Sequence, residues 1–252
     1  MENLNIDNKY INNEKQGVIK ENTKFDEKDT EEQEIKKKLN DLLSKIECFD
    51  PSNWAKIHDK LNSGMIGTCL TSKDCYRIGF IKVLIDKAKE SNIHFAKDGN
   101  NFYIYNNQYW IKISADLLKS FLHMAAQKMG IPIGLSICVK FIKSTYEQLI
   151  ESGFFEKMVQ GNVTHLNVLN GTIKIDLDGV NLRDFDSKHF LTHQLDFEYD
   201  KNTVNQVWLD FLNKVLPDKD TQKTLQQAIG YLFIKDLKLE KVIFLYGIGS
   251  NG

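Results

Sequence analysis

One stretch, residues 239–252, reads LEKVIFLYGIGSNG and sets limits on everything before it. Residues 242–246 are an unbroken apolar run, rich in β-branched and aromatic side chains. The run lacks the alternation of a half-solvated strand, so it predicts a strand buried on both faces. Gly247, Ile248, Gly249, Ser250, Asn251 and Gly252 follow directly. That is the G-x-x-x-x-G portion of a phosphate-binding loop, in its required place after a buried strand. Glycines let the backbone adopt positive φ and turn successive N–H groups toward one anion, and a helix N-terminus completes the cradle. A full loop adds a Lys for the β/γ-phosphates and a Ser or Thr for Mg²⁺, and the sequence stops before both. Two glycines five apart are weak by themselves, and the alternative is an ordinary glycine-rich turn, a hairpin turn included. The preceding strand and the third glycine favour the phosphate loop.

Size and composition narrow the rest. A chain of 252 residues holds one large domain or two modest ones, and 42% hydrophobic content with 15 Phe is enough for a real core. Lys and Arg total 33 against 34 Asp and Glu, so any nucleic-acid contact has to come from a local patch. Cys48, Cys69, Cys75 and Cys138 form no C-x-x-C pair, which points to free thiols in a reducing cytosol. No stretch approaches the ~18 apolar residues of a membrane span, and the polar, acidic start is unlike a signal peptide. The expected location is cytoplasmic.

Along the chain, residues 1–30 are rich in Asn, Lys and Glu and read as a disordered arm. Residues 31–94 read as a helical segment of no assigned role. In it Ile35, Leu39, Leu42, Leu43 and Ile46 share one helical face, a short helix over 52–61 carries Trp54, Ile57 and Leu61, residues 63–71 form a loop, and Ser72 or Asp74 caps a helix ending near Glu90. Residues 93–113 predict strands, with turns at Asp98-Gly99 and Asn106-Asn107. Ser114 caps a helix that buries Leu117, Leu118, Phe121, Leu122, Ala125 and Met129 and ends at Gly130. A second helix, 136–151, carries Val139, Ile142, Tyr146 and Leu149.

Residues 166–177 predict a hairpin around Asn170-Gly171, and a further strand pair is expected around Asp178-Gly179 and through 190–197. An amphipathic helix with Val204, Val207, Trp208, Phe211, Leu212 and Val215 then ends at Pro217. The next helix, opened by Asp218 and Asp220, is expected to bury Leu225, Ala228, Ile229, Leu232 and Phe233. The fold class is α+β: a mainly helical N-terminal region with small β-hairpins, ending in a strand and a partial phosphate loop. The domains read as 1–30, 31–94, 95–238 and 239–252.

Four blocks in order carry a family likeness: LNVLNGTIKIDLDG; HFLTHQLDFEYD, ending in Tyr199 and Asp200; VWLDFLNKVLPDKDTQKTLQQAIGYLF, with Gln226, Gly230 and Tyr231; and KVIFLYGIGSNG, with Asn251-Gly252 where an Asn-Gly precedes the P-loop lysine. FYIYNNQYWIKIS upstream looks like the Tyr/Trp hairpin that opens the same region. Together they resemble the phage and plasmid primase–helicases, more narrowly a poxvirus-like N-terminal region leading into a superfamily 3 helicase ATPase. The likeness spans roughly 95–252. It departs from the pattern after Asp200, where the family commonly has a proline and this chain has Lys201-Asn202. The first ~90 residues match no primase catalytic segment.

The resemblance implies ATP-driven unwinding of DNA in replication, in hexameric rings with ATP and Mg²⁺ between subunits. It implies a collar region that ends in the first strand and phosphate loop of an α/β P-loop ATPase. It implies single-stranded DNA as partner, Gly247 to Gly252 as the phosphate cradle, and a chain truncated inside the Walker A motif. Without the Lys, the hydroxyl residue, the acidic pair and the arginine, the 252 residues are expected to lack ATPase activity. The alternative is a non-catalytic oligomerisation or DNA-binding adaptor ending in a glycine-rich turn; a nucleotide kinase is a weaker third reading.

Other candidates rank lower. His189 and His193 are four apart but outside any expected helix, so no metal is assigned to them. Cys69 and Cys75 lack a second ligand pair. Asp176, Asp178 and Asp184 read as turn residues, and Lys36, Lys37 and Lys38 as a solvated helix face. Tyr103, Tyr105, Tyr109 and Trp110 offer a base-stacking surface, although hairpin aromatics more commonly pack across strands.

Overall fold

The computed structural model describes residues 29–49, 72–151, 156–157, 163–235, 237–238 and 240–246. Of the disordered arm expected over 1–30, residues 1–28 lie outside the described residues and 29–30 are helical; the helix expected over 52–61, the loop over 63–71 and the loop Gly247 to Gly252 also lie outside them. The chain is mixed helix and sheet, an α+β fold, and divides into two compact units. The first comprises 1–106 and 110–158, the second 107–109 and 159–252.

In the first unit, α1 covers residues 29–45 and buries Ile35, Leu39 and Leu42, with Ile46 buried just past its end; Leu43, expected beside them, is half-buried. The end of α1 is closed by a distant cation: Lys128 Nζ donates to the carbonyls of Leu43 at 2.7 Å and Ser44 at 2.9 Å. A charge placed there also opposes the negative end of the helix dipole. Helix α2, Ser72–Glu90, buries Phe80, Ile81, Leu84, Ile85 and Ala88, and Asn92 at φ 55 turns the chain out of it. Strands β1 (Phe95–Asp98), β2 (Asn101–Tyr105) and β3 (Trp110–Ile113) form an antiparallel meander. A short β4, Glu156–Lys157, adds in parallel to β1, giving the order β3-β2-β1-β4.

Ser114 caps α3, Ala115–Lys128, by accepting the Leu117 N–H, and Leu118, Phe121, Leu122 and Ala125 are buried as its spacing demands. Gly130 follows at φ 84, where an added Cβ would stand 2.8 Å from the Cys48 sulfur. The helix expected over 136–151 forms as α5 (Val139–Glu151), preceded by a separate short helix α4 (Ile133–Ser136). Of its expected stripe Ile142 and Leu149 are buried and Tyr146 is half-buried, with Phe141, Thr145 and Ile150 buried beside them, whereas Val139 at its start is 81% exposed.

The second unit begins with an antiparallel sheet of β5 (Thr164–Val168), β6 (Gly171–Asp176) and β7 (Gly179–Arg183), in that order. The first hairpin forms as expected, but one residue earlier. Val168 pairs with Gly171, so Leu169 and Asn170 make the turn and Gly171 opens the strand. Gly171 has φ 149, and a Cβ there would sit 2.4 Å from the Arg183 carbonyl oxygen on β7, so the glycine serves strand packing rather than the turn. Of the further strand pair expected around Asp178-Gly179 and through 190–197, the first part forms as the β6–β7 hairpin, with Asp176 paired to Gly179, and the part through 190–197 is reduced to one parallel bridge, Val168 with Leu195.

Asn205 and Asp218 cap α6 (Gln206–Val215) and α7 (Lys219–Tyr231) by accepting the N–H groups of Trp208 and Thr221. Between these helices the buried Gln222 amide donates to Asn213 Oδ1 at 3.1 Å and to the Leu216 carbonyl at 2.6 Å. The apolar stripes of both helices are correctly phased yet uncovered. Leu212 alone is buried on α6, and Ile229, Leu232 and Phe233, expected to be buried, are exposed. The strand expected over 242–246 pairs with no other described segment, and its side chains are 55–92% exposed. An apolar run in the middle of a parallel sheet draws its burial from strands on either side, and no described residue supplies one here.

Candidate functional site

None of the six residues proposed to cradle phosphate is among those described, so the described geometry bears on what leads to them. Residues 240–246 form neither helix nor strand, and the side chains of 242–246 are exposed. Just before them, Tyr231 Oη donates to the Leu237 carbonyl, and the Lys235 N–H donates to Thr164 Oγ1 at 2.8 Å on β5. The segment leading to the glycine-rich terminus is thus tied to the first strand of the sheet and to the end of α7.

The best-defined polar arrangement joins the first two blocks of the family likeness. The Asn170 side chain donates its amide to the Tyr199 carbonyl and accepts the Tyr199 N–H, both at 3.0 Å, across 29 residues of sequence. Asp200, next in line, accepts the Asn202 N–H at 2.8 Å and the Thr203 hydroxyl at 3.0 Å. Those bonds, the Asn202 N–H first, favour the ionised form and hold the Asp200 carboxyl below the usual range. Asn170 and the Tyr-Asp pair therefore position the chain between the sheet and α6. The absent proline after Asp200 is replaced by a side-chain-capped turn over Lys201 and Asn202.

Beside this arrangement lies a contact without a sequence signal. The imidazoles of His165 on β5 and His189 stack with centroids 4.0 Å apart and planes inclined by 20°. His189 sits in the 3₁₀ turn Ser187–His189, whose N-cap Asp186 accepts the Lys188 N–H. Burial first, and then the neighbouring His189, push the His165 pKa below its ordinary value. His193, the expected sequence neighbour, is not part of the stack.

The remaining candidates fall to structural roles. Tyr105 and Trp110 are buried opposite one another on β2 and β3, ring centroids 5.3 Å apart, so these two rings pack across the hairpin. Burial first, and Asp98 second, raise the Tyr103 pKa. Asp176 accepts the Asp178 N–H at 3.0 Å and pairs with Lys174 at 2.6 Å, closing the β6–β7 turn; the lysine lowers its pKa. Lys36 pairs with Glu32 along the outer side of α1. Among the described residues no group of three or more His, Cys, Asp or Glu is placed to hold a metal ion. Cys48 and Cys138 are free, and Cys138 at the start of α5 accepts the N–H groups of Phe141 and Lys140, which lowers its thiol pKa. No described helix is long and apolar enough to cross a membrane.

Comparison with known proteins gives one match and one blank. No curated protein matches the chain. A family model described as D5 N terminal like matches residues 82–217, more than half of the chain, running from within α2 to Pro217. The matched span includes the meander, the Asn170–Tyr199 arrangement and α6. The chain belongs to this family, the primase–helicase N-terminal region of D5-like proteins.

Proposed function

We propose that the chain is the N-terminal, collar-like part of an ATP-dependent replicative DNA helicase of superfamily 3, from a phage, plasmid or integrated element. In this reading the segment 242–246 is the first strand of the motor and Gly247 to Gly252 the backbone half of its phosphate loop. One observation carries the proposal. A D5 N terminal like region, 82–217, is followed by an apolar run of strand-forming residues and then by GIGSNG. The exposure of that run supports it, because five consecutive large apolar side chains in water are costly and suit a strand completed by neighbours.

The chemistry assigned to the chain's own residues is limited to binding. Gly247 to Gly252 would present backbone N–H groups to the phosphates of ATP, and Asn251-Gly252 would lead into the lysine of a longer parent. No catalytic step is assigned to the described residues. The exposed face of α6, with Val207 81% exposed and Trp208 and Phe211 beside it, suits contact with another surface, as a ring-forming collar requires. Single-stranded DNA is the expected partner of the parent.

The test is ATP turnover by the purified 252-residue chain with and without single-stranded DNA. The reading predicts no hydrolysis above buffer, since positioned charge performs most of phosphoryl transfer and this chain lacks it. DNA-stimulated hydrolysis by these 252 residues would overturn the assignment of the motor to residues beyond them.

A further inference from the structure

His165 and His189 come from segments 24 positions apart and meet face to face, 4.0 Å between ring centres. Ring nitrogens bind cations in the ring plane, and two nearly parallel planes do not converge within bonding distance, so the pair is no shared metal site. The surroundings make it sensitive to protons instead. Nδ1 of His189 is buried and has no hydrogen-bond partner among the described residues. Lys174 of β6 stands opposite His165 in the strand register and is itself paired to Asp176. Asp186, an acidic group of the turn that acts on His165, already accepts the Lys188 N–H. The turn also carries Phe190, buried at φ 51, so its backbone conformation is an unfavourable one for a non-glycine residue.

We propose that the stacked imidazoles are a proton-operated latch that holds the 186–190 turn on β5 when uncharged and releases it on acidification. One proton is tolerated, because an imidazolium can lie over a neutral ring. A second places two like charges in contact, with Lys174 adding to the repulsion. The sign follows from His165, whose folded-state pKa lies below the unfolded value. The folded form binds fewer protons, so the closed latch is fully stable above the ordinary histidine value of about 6.5 and weakens as pH falls below it. Opening is confined, because the chain is fastened again at Leu195, whose N–H donates to the Asn167 carbonyl at 2.8 Å, and at Tyr199. The latch is independent of the nucleotide reading.

Amide hydrogen exchange of the whole chain at pH 7.5 and pH 5.0, corrected for intrinsic rates, tests it. Protection at His189 and Phe190, whose N–H groups donate to Asp186 and Ser187, should fall roughly fivefold or more while α3 stays unchanged. His165→Phe keeps a flat ring without a charge and should remove that fall; His193→Gln should leave it intact. Protection that is independent of pH, or a fall that survives in His165→Phe, overturns the latch. Should His165→Phe fail to fold, the imidazole resonances of the unmodified chain decide: a His165 midpoint at or above the ordinary histidine value also overturns it.

Discussion

Asn170 uses both ends of one amide on a single backbone unit, and this is why a turn residue is also a long-range tie. Its hydrogen bonds to Tyr199 are exposed, so each contributes about 0.5–1.5 kcal/mol net. Asn170→Ala should cost about 1–2 kcal/mol in urea denaturation, and Asn170→Asp, which keeps the acceptor and loses the donor, should cost less. Equal stability of Asn170→Ala and the unmodified chain would remove the tie from the account. Gly171 is a sharper case, since any Cβ meets the Arg183 carbonyl on β7. Gly171→Ala should destabilise by about 2–3 kcal/mol, by overpacking and by backbone strain together. Gly99 has open space around its would-be Cβ, so Gly99→Ala, with strain at φ 54 but no collision, is the matched control. The collision is absent from the sequence, where Asn-Gly signals only a turn; strand register one residue away gives the glycine its second role.

At the scale of elements, local rules were sufficient wherever one face of an element is paid for by its own unit. The stripe Ile35, Leu39, Leu42, Ile46 and the caps Ser114 and Asp218 were legible because they depend on neighbours within four residues. The exposure of Val139 at the start of α5, the shifted hairpin phase and the exposure of Ile229, Leu232 and Phe233 were not. Each depends on which surface lies opposite, and periodicity says only that a face is apolar. The His165–His189 stack was illegible for the same reason, since it is made by topology. The carboxylates that close turns and cap α7 give an element-scale prediction. Asp176, Asp200 and Asp218 are held below the usual carboxylate range by Lys174, by the Asn202 N–H and by the Thr221 hydroxyl respectively. A depressed folded-state pKa stabilises above the unfolded value of about 4 and is lost as pH falls through the folded one. Thermal melts should therefore show a midpoint that drops further below pH 4, with Asp218→Asn flattening part of that slope. A midpoint indifferent to pH across this range would contradict the assignment.

For the whole molecule, the family match, the uncovered face of α6 and the exposed run 242–246 belong together. The first unit carries a buried core of its own between α1, α2, α3, α5 and the meander. The second leaves many large apolar side chains in water, Phe244 at 85% and Tyr246 at 92% exposure among them. Exposed apolar faces of this size suit contact with a further surface, which fits the proposed reading of the run 242–246 as the start of a motor. The most direct test is ATP hydrolysis by the longer parent chain that this reading implies, compared with the same chain carrying Gly252→Val. The account predicts hydrolysis stimulated by single-stranded DNA and its loss, by about a hundredfold or more, in the variant, because a side chain there fills the space the phosphates need. Undiminished hydrolysis in Gly252→Val would show that the phosphates bind elsewhere and that GIGSNG is only a turn.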